Sequence, residues 1–573
     1  MRNSFHSDRS NREDISITLC GAAGQGIQTI EHILTRVLKL SGYNVFATKE
    51  YMSRIRGGSN STELRVSSRR VAGYSDRIDI LVPLDKQAIP HLKERITPKT
   101  AILGEKEKLK TERDIIHIPF SKIASEIGGQ IYANMVSIGV IAGLFECEQK
   151  ILEDYLAGYF VKKGEEVIEK NKQALKRGLE IGADLLNSGK IDIYIKKNTM
   201  VRDEILINGA EAVALGAIAG GCNFISAYPM SPSTGVLTFL SQHSRRLGII
   251  AEQAEDEISA INMAMGAWYG GARALASTSG GGFALMEEGV SLAGMIESPV
   301  VIHIAQRPGP ATGLPTRTEQ GDLELAFYSG HGEFPRIIFA PGTMEDAFYL
   351  TQKAFNLAAR YQIPVFVLTD QYMIDSYYNI PALETSGLMV EKHIVETYEG
   401  YKRYKITSDG ISPRGVPGFG SGLVTVDSDE HDEEGHITED LDLRVKMVEK
   451  RLKKLESLKR EAIPPELFGE EDYKTLIVCW GTTYHIVKEA VETLGGEDLS
   501  ILYFKQVYPV SDEALTYLNL AKKTIIIENN ATSQFSRLLK VQTGIEMDHK
   551  ILKYNGLPFS VEEVSERLKE IGE

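Results

Sequence analysis

Cysteine is scarce in this sequence. Four cysteines occur among 573 residues, and no two of them form a Cys-x-x-Cys pair, because they lie at Cys20, Cys147, Cys222 and Cys479. This spacing excludes a disulfide framework, and it excludes an iron–sulfur site built from this chain alone. We therefore expect free or buried thiols in a reducing cytoplasm.

Long apolar runs and an excess of positive charge are also missing. The longest apolar stretch, Met135 to Phe145, covers eleven residues, whereas about 20 are needed to cross a bilayer. The polar residues 1–14 lack the apolar core of a signal peptide and are expected to form a disordered tail. The net charge of −14 argues against nucleic acid or an anionic membrane as a partner. Together these features predict a soluble cytoplasmic protein.

Short apolar strands alternate with helices along most of the chain. This alternation predicts an α/β fold with three doubly wound domains, and strands that are apolar on both faces indicate buried parallel sheets. Between the second and third domains, a Gly- and Pro-containing stretch and an acidic run precede an amphipathic helix, whose apolar positions are Met447, Val448, Leu452 and Leu455. The predicted boundaries are 15–190 and 200–385 for the first two domains, 386–468 for the linking excursion, and 470–573 for the third domain.

The stretch YPMSPST follows a predicted strand and places a proline on each side of Ser231. Because a residue before proline is kept out of the helical region, Ser231 is predicted to be an N-cap, with Pro232 as the first helical residue. The free amides of such a helix end would suit a substrate carboxylate, at the sheet edge where α/β folds bind ligands. The alternative is a capped helix that binds nothing.

Three consecutive acidic residues, Glu255, Asp256 and Glu257, are predicted to occupy the first turn of the next helix. Later positions of that helix, from Ala260 to Gly271, are rich in small residues that would allow a flat ring to approach. A carboxyl group facing such an apolar surface would have a raised pKa and could exchange a proton with a heterocyclic nitrogen. The alternative is that these carboxylates only stabilise the helix dipole.

Two further stretches follow predicted strands of the same domain. The first, STSGGG, ends in three glycines that would let a ligand approach the backbone, or that would simply make a tight turn. The second, QRPGPATGLPT, holds Arg307 and Thr312 in a proline-rich loop, where the arginine could bind a carboxylate or form a surface salt bridge. Because the carboxyl ends of parallel strands share one edge of a sheet, all of these stretches are expected to form one site.

The order of these motifs resembles the alpha chain of the 2-oxoacid:ferredoxin oxidoreductases, in the form with a gamma domain fused at the N-terminus. The resemblance rests on YPMSPST, EDEISA, TSGGGFALM, QRPGPATGLPT and QGD. It extends to GAAGQG and SRIRGGSN in the first domain, to EHDEEG, and to VYPVSDEAL and ENNATSQ in the last domain. It therefore covers nearly the whole chain.

The resemblance implies a reaction in which a 2-oxoacid and coenzyme A are joined through thiamine diphosphate, CO2 is released and ferredoxin is reduced, or the reverse carboxylation. It identifies the three domains as a gamma domain, a domain that binds the cofactor pyrimidine, and a transketolase C-terminal-like domain. It implies that Glu257 hydrogen-bonds the aminopyrimidine, and that Ser231, Arg307 and Thr312 hold the substrate carboxylate. The cofactor-binding positions that it implies are Tyr228, Pro229, Thr278, Ser279 and Gly280, together with Gly24, Gln25 and Gly26 of the first domain.

The chain departs from the family pattern at two positions and lacks two parts of a complete enzyme. The family more often has Thr at Ser231, and TSGPG where this chain has TSGGG. No GDG motif with a following Asn is present for diphosphate and Mg2+, and no cysteine cluster is present. By resemblance, a beta subunit supplies the Mg2+ site and a [4Fe-4S] cluster, in a dimer of heterodimers that reduces ferredoxin.

Two alternative functions and one alternative site remain open. The first alternative is an NAD-dependent dehydrogenase. A GxxGxG pattern follows a predicted strand at Gly21, Gly24 and Gly26, and Glu50 lies near the position of a ribose-binding acid. A scaffold subunit without activity is the second alternative. The run 431–436 could hold a metal, but its two histidines lack the spacing of HExxH, so a solvated or interface loop is favoured.

The substrate is predicted by analogy alone to be 2-oxoglutarate, because two-chain members of the family often act on it. A second carboxylate would need a basic group beyond Arg307. The beta subunit could supply that group, or Lys49, Arg54 or Arg56 of the first domain could do so.

Overall fold

A computed structural model describes residues 13–22, 24–52, 58–496 and 498–572. Within these residues the strands are β1 (Asp14–Ala22), β2 (Asn44–Glu50), β3 (Ser59–Ser67), β4 (Ile80–Pro83), β5 (Ala101–Gly104), β6 (Ile116–His117), β7 (Ile205–Asn208), β8 (Phe224–Ala227), β9 (Ile250–Gln253), β10 (Ala274–Thr278), β11 (Val300–Gln306), β12 (Ile337–Phe339), β13 (Pro364–Asp370), β14 (Tyr377–Ile380), β15 (Glu466–Phe468), β16 (Thr475–Trp480), β17 (Leu499–Phe504), β18 (Gln506–Tyr508), β19 (Lys523–Glu528) and β20 (His549–Leu552).

The α-helices in the same residues are α1 (Ile27–Leu40), α2 (Ala88–His91), α3 (Lys106–Leu109), α4 (Phe120–Ile127), α5 (Ala133–Leu144), α6 (Gln149–Tyr159), α7 (Glu165–Asn187), α8 (Gly209–Ala219), α9 (Thr234–Leu247), α10 (Glu257–Tyr269), α11 (Gly280–Met295), α12 (Leu323–Tyr328), α13 (Met344–Tyr361), α14 (Gln371–Asp375), α15 (Leu441–Arg460), α16 (Thr483–Leu494), α17 (Glu513–Leu520), α18 (Gln534–Thr543) and α19 (Val561–Gly572). The expected α/β fold class is confirmed.

The described residues form two compact units. The first, which we call the N-terminal unit, ends at residue 207 and also includes residues 376–383. The second, the C-terminal unit, comprises residues 208–375 and the chain from residue 384 onward. The predicted tail, residues 1–14, lies outside the described residues up to residue 12.

The N-terminal unit is built on a mixed sheet of order β6-β5-β4-β1-β3-β2-β14-β7. Its β4, β5 and β6 run parallel to β1, as the alternation of strands and helices predicts. In contrast, β3 runs antiparallel to both β1 and β2, and β14 runs antiparallel to β2. The sheet is therefore mixed and not purely parallel, because only eight residues separate β2 from β3, whereas a parallel crossover needs about a dozen or more.

The longest apolar run of the sequence forms α5 in this unit. A methyl group added at Gly139 or Gly143 would lie 2.3 or 2.5 Å from a carbonyl oxygen of α7, and α7 presents Gly178 and Gly182 to α5 in the same way. The two helices therefore pack backbone to backbone, and α5 is buried on nearly all sides. In the described part of the chain, no helix is both long and apolar enough to span a membrane.

The C-terminal unit contains two sheets. One has the order β18-β12-β13-β11-β10-β8-β9 and is parallel except for the β12–β18 pair, and the other has the order β15-β17-β16-β19-β20. The central strands β10, β11 and β13 are completely buried, as their apolar sequences predict. The edge strand β9 is not completely buried, since Ile250 is 60% exposed.

The predicted amphipathic helix exists as α15, but its buried face differs from the prediction. The fully buried positions are Met447, Lys450, Arg451, Lys454 and Leu458, whereas three of the four apolar positions used in the prediction are only partly buried. The reason is electrostatic. Lys450 and Lys454 both bind the buried carboxylate of Glu297, so charged residues occupy the inner face of the helix.

Candidate active site

The predicted site residues of the second domain follow β8, β9, β10 and β11, at the carboxyl edge of the parallel sheet. This is the edge where open α/β sheets bind ligands. Tyr228 and Pro229 follow β8 directly, and the Tyr228 side chain is 41% exposed. The structure therefore collects the motifs at one edge, as expected from their positions after the strands.

The predicted N-cap role of Ser231 is wrong. Helix α9 begins at Thr234, and its flanking residue Ser233 uses its hydroxyl to donate a hydrogen bond to the carbonyl oxygen of Met230, at 2.7 Å. The turn 230–233 thus closes on itself before the helix starts. Ser231 is exposed, and its carbonyl oxygen accepts a hydrogen bond of 2.6 Å from Nη1 of Arg307.

Glu257 is the first residue of α10 and is only 3% exposed. The three acidic residues do not share the first turn as predicted. Glu255 precedes the helix, and Asp256 caps it by accepting a hydrogen bond of 2.7 Å from the backbone amide of Ser259. Oε1 of Glu257 is buried without a hydrogen-bond partner. Burial raises the pKa of Glu257, whereas its own backbone amide and Arg307 lower it.

The three glycines form the first turn of α11, so they do not make the tight turn that was one of the two expectations for them. A methyl group added at Gly282 would lie 2.3 Å from both Oε1 of Glu257 and the hydroxyl of Thr278. A methyl group added at Gly280 would lie 2.2 Å from a carboxylate oxygen of Asp322. The glycines are therefore needed because two carboxyl groups lie directly against this helix end, and the adjacent Ser279 hydroxyl is buried without a partner.

Arg307 follows β11 and is buried, with its Nε lacking a hydrogen-bond partner. Burial lowers its pKa, while the charges of Asp322 and Glu257 raise it, so the guanidinium lies close to two acidic groups. Thr312 belongs to the same loop and is exposed. The loop passes over α11, since the carbonyl oxygen of Ala311 lies 3.3 Å from the position of a methyl group at Gly281.

Asp322 is a site residue to which sequence reasoning assigned no role, although the motif QGD contains it. Its Oδ2 is buried without a partner, and its backbone amide donates a hydrogen bond of 3.0 Å to the side chain of Gln306. Burial and the charge of Glu319 raise the pKa of Asp322 to about 7, although Arg307 acts in the opposite direction. The sequence did contain a signal for Asp322, because this acidic residue follows the loop that carries Arg307.

Four buried polar atoms without partners thus belong to neighbouring side chains: Oε1 of Glu257, Oγ of Ser279, Nε of Arg307 and Oδ2 of Asp322. A buried polar atom without a partner costs about 1–3 kcal/mol, so this set indicates a place where a polar ligand binds. The residues fit a thiamine-type cofactor and a 2-oxoacid. A protonatable carboxyl can hydrogen-bond a heterocyclic nitrogen, and a guanidinium can bind a carboxylate.

A buried chain of hydrogen bonds links the central strands next to the site. The ring nitrogens of His303 on β11 lie 2.9 Å from the hydroxyl of Ser277 on β10 and 2.9 Å from that of Thr369 on β13. Burial lowers the pKa of His303 to about 3, so the ring is neutral at physiological pH. The chain links the three central strands immediately before Thr278 and Ser279.

The loop that carries Arg307 and Thr312 continues to Gln320, which hydrogen-bonds to the five-stranded sheet of the same unit. The backbone of Gln320 donates to the carbonyl oxygen of Asn529 at 2.7 Å, and its side chain accepts from the Asn529 amide at 2.9 Å. The same side chain donates to the carbonyl oxygen of Trp480 at 2.9 Å. The position of Asp322 therefore depends on a sheet that is more than 150 residues away in sequence.

The glycine loop of the N-terminal unit is closed by its own side chain. Gly24 and Gly26 have φ angles of 89° and 79°, which only glycine adopts easily. Between them, the side chain of Gln25 accepts a hydrogen bond of 2.9 Å from the amide of Ala22. A dinucleotide loop needs such amides for a pyrophosphate, so this contact weakens the dehydrogenase alternative. Lys49 lies 3.5 Å from the buried Glu31, and Arg54 and Arg56 lie outside the described residues.

The run 431–436, which was expected to be a solvated or interface loop, is partly buried within the C-terminal unit. His431 is completely buried, and its ring lies 3.9 Å from that of Tyr404. Glu430 beside it binds the guanidinium of Arg451 through both oxygens, at 3.0 and 2.9 Å. Nowhere in the described residues do three or more His, Cys, Asp or Glu side chains form a group that could hold a metal ion.

Two family models match this chain. The model described as "Pyruvate flavodoxin/ferredoxin oxidoreductase, thiamine diP-bdg" matches residues 215–450, which contain all four side chains with unpartnered atoms. The model described as "Pyruvate ferredoxin/flavodoxin oxidoreductase" matches residues 16–181.

Individual relatives cover nearly the whole chain. A 2-oxoacid:ferredoxin oxidoreductase subunit alpha from Sulfolobus sp is 34% identical over 97% of this chain and 96% of that protein. A 2-oxoglutarate synthase subunit KorA from Archaeoglobus fulgidus is 35% identical over 57% of this chain and 88% of that protein. A solved structure of 2-oxoglutarate:ferredoxin oxidoreductase from Magnetococcus marinus, with 2-oxoglutarate, coenzyme A and succinyl-CoA bound, has a TM-score of 0.92 at 32% identity, and the match covers 98% of this chain and 100% of that one. The chain therefore belongs to the 2-oxoacid:ferredoxin oxidoreductase family, as a thiamine diphosphate-binding alpha subunit.

Proposed function

We propose that this subunit acts on 2-oxoglutarate, together with coenzyme A and ferredoxin, to form succinyl-CoA and CO2 or to catalyse the reverse carboxylation. Two relatives support this substrate by name, the Archaeoglobus fulgidus protein and the Magnetococcus marinus enzyme. The observation that carries the proposed site is the set of four unpartnered polar atoms at the carboxyl edge of the sheet.

The residues that would hold the pyrimidine half of thiamine diphosphate are Glu257, Thr278, Ser279 and Gly280, with Tyr228 and Pro229 beside them. When bound, the cofactor supplies an electron sink for cleavage or formation of the bond between the carboxylate carbon and the 2-oxo carbon. Burial raises the pKa of Glu257 and so favours its protonated form, and its Oε1 has no hydrogen-bond partner. That oxygen can hydrogen-bond a ring nitrogen as donor or as acceptor.

Arg307 would bind the substrate carboxylate next to the 2-oxo group, together with Ser231 and Thr312. Its Nε is unpartnered, and Nη1 is held by the carbonyl oxygen of Ser231 at 2.6 Å. This hydrogen bond fixes the guanidinium before the substrate arrives, which reduces the conformational entropy lost on binding. The charge of Asp322 raises the pKa of the same guanidinium, and the charge of Glu257 acts in the same direction.

A beta subunit would supply the remaining chemistry. We assign to it the Mg2+ and diphosphate site and a [4Fe-4S] cluster, in an (alpha–beta)2 complex that passes electrons to ferredoxin. We also propose a cofactor-binding role for Gly24, Gln25 and Gly26. The compartment proposed is the cytoplasm, since all four cysteines are free thiols.

The proposed function is tested with the complex. The chain is co-expressed with its beta subunit and purified without oxygen, and viologen reduction is followed with 2-oxoglutarate, pyruvate and a branched 2-oxoacid in parallel. We expect reduction with 2-oxoglutarate that depends on coenzyme A and on thiamine diphosphate. Reduction with pyruvate alone would refute the substrate. No reduction with any acid, from a complex that contains its cluster, would refute the reaction.

A further inference from the structure

Positive charge is buried in excess where residues 388–460 pack against the rest of the C-terminal unit. Arg403, Arg414, Lys450 and Lys454 are all buried. The carboxylate of Glu297 accepts hydrogen bonds from Lys450 and Lys454, at 2.5 and 2.6 Å. The two lysines therefore share one negative charge, and the two arginines need another source of compensation.

The arginines donate only to neutral groups. Arg403 donates to the side-chain oxygen of Gln362 at 2.7 Å and to the backbone oxygen of Glu297 at 2.8 Å. Arg414 donates to the backbone oxygens of Trp268 and Lys392, at 3.2 and 3.1 Å. Within the described residues, neither guanidinium has a carboxylate oxygen within 4 Å.

Arg414 is the less satisfied of the two. It is 4% exposed, and its Nε is buried without a hydrogen-bond partner. Burial, together with the charges of Arg403 and Arg273, lowers the pKa of Arg414 to about 10. Its contact with the Trp268 ring, 5.6 Å from the ring centroid, offsets part of this cost. A buried charge is expected to be paired with an opposite charge. Arg414 has no such partner within the described residues.

Both arginines line one small cavity. Its volume is about 20 Å³, and its other walls include Trp268, Ser298, Gly415 and Val426. A cavity of more than about 10–15 Å³ can hold one water molecule, so the space admits a single small species. The lining contains two cationic side chains and no acidic side chain.

We propose that this cavity binds one monatomic anion, with chloride as the physiological ligand. The anion would accept the hydrogen bond that Nε of Arg414 lacks and would compensate the charge of both arginines. It would also join the 296–299 segment, which carries Glu297, to the 403–415 segment. The site is separate from the proposed active site and does not depend on the proposed substrate.

Bromide tests this proposal, because it replaces chloride and scatters X-rays anomalously. Crystals of the full-length chain in its complex are soaked in sodium bromide. We expect an anomalous peak within hydrogen-bond distance of Arg403 and Arg414. Absence of a peak in the cavity would overturn the proposal, since a water molecule would then fill the space.

Thermal unfolding gives a second, independent readout. The unfolding midpoint is measured in sodium chloride and in sodium gluconate at equal ionic strength. We expect a rise with chloride that saturates as expected for a single site, and that is lost in Arg414→Met. The control is Arg360→Met, which removes an exposed arginine paired with Glu461 and should keep the chloride dependence. A chloride-specific rise that persists in Arg414→Met would place the anion elsewhere and overturn the proposal, and if that variant does not fold, the bromide crystal decides.

Discussion

Replacing Glu297 by glutamine tests whether the buried charges of α15 are held by this one carboxylate. The side chains of Glu297, Lys450 and Lys454 are each no more than 1% exposed, and the two lysine–carboxylate distances are 2.5 and 2.6 Å. Glutamine keeps the shape and one acceptor oxygen but removes the negative charge. Both lysines would then be buried without a counter-charge.

The expected loss of stability is large. Removing one partner of a buried ion pair costs about 3–5 kcal/mol, because the remaining charge stays uncompensated. We expect the upper part of this range for Glu297→Gln, since two lysines depend on the same carboxylate. The control is Glu461→Gln, which breaks the exposed pair with Arg360 at 3.1 Å and should cost less than about 1 kcal/mol.

Urea denaturation followed by tryptophan fluorescence measures this difference, because both tryptophans, Trp268 and Trp480, are buried in the C-terminal unit. The lysine charges hold the pKa of Glu297 well below its ordinary value of 4.5, although burial acts in the opposite direction. The stability that the carboxylate contributes is therefore present above pH 4.5 and is lost as the pH falls below it. Equal losses in Glu297→Gln and Glu461→Gln at pH 7 would refute this reasoning.

Three further predictions concern the active site. Glu257→Gln is expected to lower kcat at least about 100-fold, as loss of an acid–base group does, without lowering the unfolding midpoint. Its control is Glu255→Gln, which changes the exposed acid before the helix and should keep full viologen-reducing activity. Gly282→Ala places a methyl group 2.3 Å from Glu257 and Thr278, so we expect weaker activation in a thiamine diphosphate titration, whereas Gly266→Ala meets no atom within 4 Å and should titrate normally. Asp322 has a pKa raised to about 7, so its ionisation lowers the stability of the wild type as the pH rises from about 4 to 7. Asp322→Asn should lack this component in a series of unfolding midpoints, and an unchanged pH dependence would contradict the assignment.

Much of the site could be predicted because its residues follow strands. Glu257, Ser279 and Arg307 were identified from their place after apolar segments, and in parallel sheets that place is enough to bring side chains to one edge. The family resemblance, carried by short motifs along the chain, is confirmed by relatives that span it. The assigned roles of the individual residues stay predictions.

Other features depended on contacts that no local pattern encodes. Ser231 was predicted to cap a helix, but the turn before α9 bonds to itself, and the Ser231 carbonyl oxygen binds an arginine 76 residues away. The glycines of TSGGG were expected to let a ligand approach the backbone or to make a tight turn, yet they begin a helix, and they are glycines because the carboxyl groups of Glu257 and Asp322 lie against it.

The sequence by itself determined the α/β class, the strands of the sheets and the edge at which the candidate site forms, because apolar periodicity and strand ends are local properties. The tertiary structure alone decided which polar atoms are left without partners, and therefore that Asp322 belongs to the site. It also decided that Lys450 and Lys454 face inward, although a helical pattern assigns lysines to solvent. Burial and charge compensation act between segments distant in sequence, so only the packed structure can show which charge meets which partner.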